Sequence, residues 1–137
     1  MWHDIAGLTT AVILAAIGVL HLAWSRTPWP AADFRTLSDH VYGGSAMPGK
    51  TPCIVVGTGL LAGAYCLLAE ADTVPEIAPH PLFRFGVWAL TVLLLARALA
   101  GPALSLRGAP QFRRLNLLAY SPLCLALGLG ALAVATR

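Results

Sequence analysis

The stretch IAGLTTAVILAAIGVLHLAW, residues Ile5–Trp24, carries no Asp, Glu, Lys or Arg over its whole length. A helix of this length spans about 30 Å at 1.5 Å per residue, which matches the hydrocarbon core of a bilayer. Three more apolar runs of similar length follow, at Thr51–Ala69, Phe83–Gly101 and Leu115–Ala135. A backbone in lipid must satisfy its own hydrogen bonds, so each run predicts a transmembrane helix.

The composition of the whole chain agrees with this prediction. Of the 137 residues, 58% are hydrophobic and only 11% are charged, and the mean hydropathy is +0.74. A soluble domain of this size needs a more strongly charged surface. The fold class is therefore an all-α, integral membrane four-helix bundle forming a single domain over residues 1–137. The first span lacks a basic start and a cleavage site, so we expect it to be retained and not removed as a signal peptide.

The charged residues lie mainly between the spans, and their distribution predicts an orientation. The first and third loops carry six basic residues: Arg26, Arg35, Lys50, Arg107, Arg113 and Arg114. The opposite side carries only Arg84 and Arg137. The positive-inside rule then puts the first and third loops in the cytoplasm and both termini outside. This pattern indicates the lipid bilayer as a partner, and it does not indicate nucleic acid despite a net charge of +3.

The first loop, residues 25–50, is the longest. Within it Phe34, Leu37 and Val41 recur at helical spacing, with Trp29 shortly before them. This pattern predicts a short helix lying at the membrane interface, with the tryptophan as an aromatic anchor.

The spans place most of their strongly hydrogen-bonding residues at one depth, in the cytoplasmic leaflet. We predict that they form one ligand-binding pocket, whose residues are His21, Trp24, Arg97, Asn116, Tyr120, Ser121 and Cys124. Asn116, Tyr120 and Cys124 recur at i, i+4 and i+8, which predicts a single stripe on the fourth span. Pro122 removes a backbone hydrogen bond and should free the Leu118 carbonyl and bend the helix.

Arg97 is the sharpest polar feature, because no Asp or Glu lies in any span to pair with it. An arginine in a span faces a partner in the bundle, reaches the headgroups, or marks a functional site. Its acceptors would then be Asn116, Tyr120, Ser121, His21, a free carbonyl or an anion from outside the protein.

His21 has three interpretations: a hydrogen bond across helices, a single axial ligand to haem, or a proton relay. Ligation by two histidines is not expected, because His3, His40 and His80 lie outside the predicted spans. No metal site is predicted, since the three cysteines form no CxxC pair and His40, Met47 and Cys53 fit no standard spacing. The cofactor, if any, stays unidentified. GLLAG, Gly59–Gly63, predicts close helix packing within the bundle.

Several short motifs together resemble a family of small four-span bacterial membrane proteins catalogued as domain of unknown function 3995. They are HLAW in the first span, MPG before the second, RALAG in the third and YSPLC in the fourth, with Phe112 upstream. The resemblance implies a four-helix bundle in a bacterial inner membrane, and it implies no activity. The sequence departs from the family pattern at Asn116, where an acidic residue is favoured.

Three functions remain open. The first is a binding or accessory protein whose Arg97 and His21 hold an anionic lipid, a quinone or a similar amphiphile. The second is a structural subunit of a larger membrane complex or of a homo-oligomer. In that case the polar residues of the cytoplasmic leaflet fix the packing of the helices. The third is an intramembrane enzyme, with His21 or Tyr120 moving a proton and Arg97 stabilising negative charge.

Overall fold

The structure is a computed structural model that describes residues 2–44, 49–106 and 108–137, and in these ranges every regular element is a helix. The helices are α1 (Trp2–Trp24), α2 (Phe34–Val41), α3 (Lys50–Glu70), α4 (His80–Ser105), α5 (Pro110–Leu115) and α6 (Ser121–Ala135). A five-residue π turn, Asn116–Tyr120, joins α5 to α6.

Four helical stretches are long and apolar enough to cross a membrane: His3–Trp24, Lys50–Glu70, His80–Ser105 and Pro110–Ala135. Each extends the corresponding predicted run by a few residues, and together they confirm the predicted all-α, four-span fold class. Large apolar side chains such as Leu93, Leu99 and Leu118 point outward and are 69%, 79% and 72% exposed. Such a surface suits contact with lipid.

The four long helices form a ring around a common core. α1 packs against α3 and α6, and α4 packs against the same two helices, so α1 and α4 lie across the diagonal of the bundle. The core is made of small and medium apolar side chains from all four helices, including the completely buried Leu14, Leu67, Val87 and Ala131.

α1 and α3 approach each other closely at a pair of glycines. A Cβ added to Gly57 would lie 2.8 Å from the Gly18 carbonyl oxygen, and one added to Gly18 would lie 3.0 Å from the Gly57 oxygen. In the predicted GLLAG packing motif, Gly63 does meet Leu90 of α4, while Gly59 faces open space. Close packing within the bundle therefore involves Gly63 together with Gly57, a residue outside the motif.

The helix predicted in the first loop is present as α2. Asp33 caps it, because its carboxylate accepts a hydrogen bond of 2.7 Å from the backbone N–H of Thr36. Leu37 is buried against Trp24 of α1 and Cys53 of α3. The Trp24 indole also donates to the Trp29 carbonyl, across 2.9 Å, which ties the start of the loop to α1.

The first and third loops meet at one end of the bundle. The backbone N–H of Ala109 donates to the Gly43 carbonyl across 3.0 Å. The Phe112 ring is buried beside Gly43 and Gly108, and Gly43 has φ +71°, a left-handed conformation that favours glycine.

Three residues used in the sequence predictions lie outside the described residues. They are Met47 and Pro48 of the MPG motif and Arg107 of the third loop.

The opposite end holds both ends of the chain. His3 Nδ1 donates to the Ala133 carbonyl across 3.0 Å, and Asp4 pairs with Arg137 across 3.1 Å. Arg137 also lies 3.7 Å from Asp72, in the connection that follows α3. These contacts close the ring between α1 and α6.

Candidate functional site

A polar stripe runs along the last turns of α4. Arg97, Gly101 and Ser105 recur at intervals of four residues, so they share one helix face. That face meets the junction between α5 and α6, where the buried Asn116 begins the π turn.

Asn116 is completely buried and makes three hydrogen bonds to the α4 stripe. Its Oδ1 accepts from Arg97 Nη2 across 2.7 Å. Its Nδ2 donates to the Gly101 carbonyl across 2.6 Å and to Ser105 Oγ across 2.7 Å. Because the Gly101 carbonyl can only accept, the amide must present its nitrogen there and its oxygen to Arg97. The hydroxyl of Ser105 also donates to the Gly101 carbonyl, across 2.9 Å.

Ser121 occupies the space that a side chain at position 101 would fill. A Cβ on Gly101 would collide with Ser121 Oγ and would lie 3.3 Å from Arg97 Nη1. The Arg97 Nη1 and Ser121 Oγ atoms are buried, and neither has a hydrogen-bond partner among the described residues. Two unsatisfied polar groups therefore lie beside the same glycine.

The π turn brings Ser121 to this position. The Ser121 N–H bonds to the Asn116 carbonyl five residues back, which widens the turn by one residue. Asn116 and Ser121 are both buried, while Tyr120 is only partly buried. The predicted stripe of Asn116, Tyr120 and Cys124 assumed a regular α-helix. The wider turn instead makes Ser121 the neighbour of Asn116.

The irregular turn lies directly before Pro122, where a break in the hydrogen-bond pattern was expected. Proline has no N–H, so the regular i to i−4 pattern cannot continue through residue 122. The helix responds by adopting the π turn over residues 116–120.

His21 and Trp24 lie elsewhere in the bundle. His21 Nδ1 donates to the Ile17 carbonyl one turn back, across 2.9 Å, and its ring centroid is 4.9 Å from that of Trp24. Trp24 packs on α2 and Cys53. Both residues belong to α1, which is diagonal to α4, and no hydrogen bond among the described residues links them to Arg97 or Asn116.

The remaining two predicted residues are also separate from the α4 stripe. Cys124 is partly buried and packs against the apolar core. The hydroxyl of the half-buried Tyr120 makes no hydrogen bond to another described residue. Of the seven predicted site residues, the structure brings three together around Gly101: Arg97, Asn116 and Ser121.

The sequence interpretation missed Ser105, which completes the hydrogen bonding of Asn116. A signal was present, since Gly101 and Ser105 follow Arg97 at i+4 and i+8. The predicted span ends at Gly101, whereas α4 continues to Ser105, so Ser105 lies beyond the predicted helix.

A second polar contact lies near α2, away from Arg97. The Tyr42 hydroxyl lies 3.6 Å from Cys53 Sγ. Burial, followed by this contact, raises the pKa of Tyr42 above its ordinary value. This contact fixes the end of α2 against α3.

No acidic side chain among the described residues pairs with the charge of Arg97. Within the described ranges, the ion pairs join residues at the chain-terminal end of the bundle, and none involves Arg97. No group of three or more His, Cys, Asp or Glu side chains arranged to hold a metal is found among the described residues. Arg97, Asn116 and Ser121, which meet around Gly101 and are here called the Arg97 cluster, can therefore supply hydrogen-bond donors and one positive charge.

An apolar groove of about 410 Å³ lies on α4, beginning one turn after Arg97. Its lining consists of Ala100, Ala103, Leu104 and Leu106. Neither Arg97 nor Asn116 lines it, so the polar cluster and the groove are neighbouring but separate features.

Comparison with curated proteins and with solved structures gives no match in either case. Comparison with protein families gives a match over residues 14–131 to the family described as Protein of unknown function (DUF3995). The matched region covers most of the chain and runs from α1 to α6, including Arg97, Gly101, Asn116 and Ser121. The chain therefore belongs to this family, as its motifs suggested.

Proposed function

We propose that this multi-pass protein binds an amphiphile through the Arg97 cluster, as a binding or accessory protein of the membrane. The single observation that carries the proposal is the pair of buried polar atoms beside Gly101, Arg97 Nη1 and Ser121 Oγ, which have no hydrogen-bond partner in the part of the chain that the structure describes. An unsatisfied buried polar group costs about 1–3 kcal/mol, and more when it is charged. A ligand oxygen accepting from both groups would remove this cost.

The chemistry of the cluster selects an oxygen acceptor with negative charge or strong polarity. Asn116 engages only Nη2 of the guanidinium, and its amide oxygen is neutral. The Arg97 charge is therefore left for a carboxylate, a phosphate or a quinone oxygen. The groove at Ala100 and Leu104 offers a surface for the apolar part of such a molecule.

The test is a comparison of variants purified in mild detergent, with bound small molecules identified by mass spectrometry. Wild type should carry one anionic lipid, quinone or similar amphiphile in stoichiometric amount, and Arg97→Ala should lose it. Arg97→Lys should retain much less, because lysine lacks the planar pair of donors. Arg84→Ala is the matched control, since Arg84 lies near the opposite end of the same helix.

The outcome also separates the remaining functions. If wild type carries no amphiphile and Arg97→Ala lowers the folded yield, the cluster is structural and a role in assembly replaces ligand binding. An enzyme using His21 together with Arg97 is less well supported, because the two residues lie on diagonal helices.

We further propose that the protein lies in a bacterial inner membrane with both termini outside the cytoplasm. The contact between Ala109 and Gly43 puts the first and third loops, which carry most of the basic residues, at one end. The positive-inside rule favours that end for the cytoplasm. Cysteines introduced at Ala31 and Gln111 should resist a membrane-impermeant maleimide in intact cells, and one at Thr73 should react. Labelling of Ala31→Cys from outside would reverse the orientation.

A further inference from the structure

The end of the bundle opposite the Arg97 cluster holds a histidine between two carboxylates. His80, the first residue of α4, donates from Nδ1 to Glu76 Oε1 across 2.6 Å. Its other ring nitrogen, Nε2, lies 3.8 Å from Oε2 of Glu70, at the end of α3. His80 therefore links α4, to which it belongs, both to the end of α3 and to the loop between the two helices.

Glu70 is the unusual member of this group. Its side chain is only 9% exposed, and its Oε2 is buried without a hydrogen-bond partner among the described residues. A buried carboxylate is stable only when a positive charge or a donor compensates it. His80 Nε2 lies 3.8 Å away and can fill this role, but it carries a proton only when the imidazole is charged, because Nδ1 holds the proton shared with Glu76.

We propose that Glu70, Glu76 and His80 form a proton-binding site, and that protonation of His80 clamps the end of α3 to the start of α4. When the site is protonated, the imidazolium lies between two carboxylates and both ring nitrogens face acceptors. When it is deprotonated, the Nε2 lone pair faces the buried Glu70 oxygen, and the contact becomes repulsive.

The other charged groups at this end modify the site without replacing it. Arg84, one turn further along α4, opposes the positive charge on His80. Asp4 and Asp72 pair with Arg137 at the ends of α1 and α6. The two carboxylates beside His80 outnumber the single opposing cation, so the site favours the protonated state.

The sign of the pH effect follows from this balance. A histidine whose pKa is raised by carboxylate partners on folding stabilises the protein fully below its unfolded-state pKa of about 6.5, and the stabilisation is lost as the pH rises through the raised folded-state pKa. The midpoint of thermal unfolding in detergent should therefore fall as the pH rises from about 5.5 to about 8.

The experiment measures this midpoint against pH for the full chain and four variants. His80→Gln and Glu70→Gln should each flatten the pH dependence, and Glu76→Gln should reduce it. His40→Gln is the control, because His40 lies on α2 at the other end of the bundle and bonds to the Thr36 carbonyl. It should keep the wild-type dependence.

A second readout separates proton binding from simple packing. The nitrogen resonances of the His80 ring should show that the imidazolium persists to a higher pH in wild type than in Glu70→Gln. An unchanged pH dependence in His80→Gln, or a His80 ring that loses its proton at the same pH in wild type and in Glu70→Gln, would overturn the proposal. Because the site lies opposite Arg97, neither result affects the proposed amphiphile binding.

Discussion

Arg97 of α4 reaches Asn116 at the start of the π turn and donates a hydrogen bond of 2.7 Å to its amide oxygen. Each residue satisfies a hydrogen-bonding group of the other. Asn116 is completely buried, and its Oδ1 is the acceptor that Arg97 reaches among the described residues. The contact joins α4 to the fourth span with a neutral acceptor, and no described carboxylate compensates the guanidinium charge.

We expect Asn116→Asp to abolish amphiphile binding. A carboxylate at position 116 would pair with Arg97 and neutralise the charge that the ligand needs. The same change removes the Nδ2 donor to Gly101 and Ser105, so we expect a loss of unfolding free energy of about 1–3 kcal/mol. Ligand content by mass spectrometry and thermal unfolding in detergent measure the two effects. Full ligand retention in folded Asn116→Asp would contradict the role of the Arg97 charge.

Gly101→Ala should destabilise the junction between α4 and α6. The added Cβ would meet Ser121 Oγ directly and would lie 2.9 Å from Ser121 Cβ, so one helix must move. Overpacking of this kind costs about 1–3 kcal/mol. The double variant Gly101→Ala with Ser121→Gly should recover part of the loss, as measured by thermal unfolding. Additive effects of the two changes would show that the clash is not the cause.

Two glycines on α3 offer a matched comparison of helix packing. Gly57→Ala should weaken the contact between α1 and α3, because its Cβ would lie 2.8 Å from the Gly18 carbonyl oxygen. Gly59→Ala meets open space and should be neutral or slightly stabilising, since alanine favours the helix by about 1 kcal/mol. Unfolding midpoints of the two single variants test this, and equal midpoints would argue against a close crossing at Gly57.

The Asp33 cap should make α2 sensitive to acid. The backbone N–H of Thr36, followed by other hydrogen bonds, lowers the pKa of Asp33 below its ordinary value of 3.8. The cap therefore stabilises α2 above that value and loses its effect as the pH falls through the lowered one. Amide exchange, corrected for the intrinsic rate, should show weaker protection of α2 at about pH 2.5 than at about pH 6.

Asp33→Asn is the control for this acid effect. Asparagine also caps helices but does not titrate, so protection of α2 should then be the same at both pH values. Equal acid sensitivity in both proteins would assign the effect to another group.

Length and hydropathy were sufficient to predict the four spans, because the bilayer thickness sets the length of a spanning helix. The spacing of Phe34, Leu37 and Val41 likewise predicted α2. Asn116 was among the predicted hydrogen-bond acceptors of Arg97, because both residues fall at the same depth of the bundle.

The sequence could not show which of the polar residues at this depth of the bundle contact one another. Depth along a helix follows from counting residues, but the order of helices around the ring does not, and that order separates His21 from Arg97. The π turn is equally hidden in the sequence. It shifts the helix face by one residue and exchanges Tyr120 for Ser121 as the neighbour of Asn116.

The contacts between the two ends of the chain have a consequence for how the protein is made. His3 meets Ala133, 130 residues later in the sequence, and Asp4 meets Arg137. During synthesis α1 must therefore enter the membrane with one packing face still open to lipid, and that face is covered only when α6 has been inserted. A nascent chain that stalls before residue 121 would hold α1 and α3 together at Gly18 and Gly57 while leaving the ring incomplete.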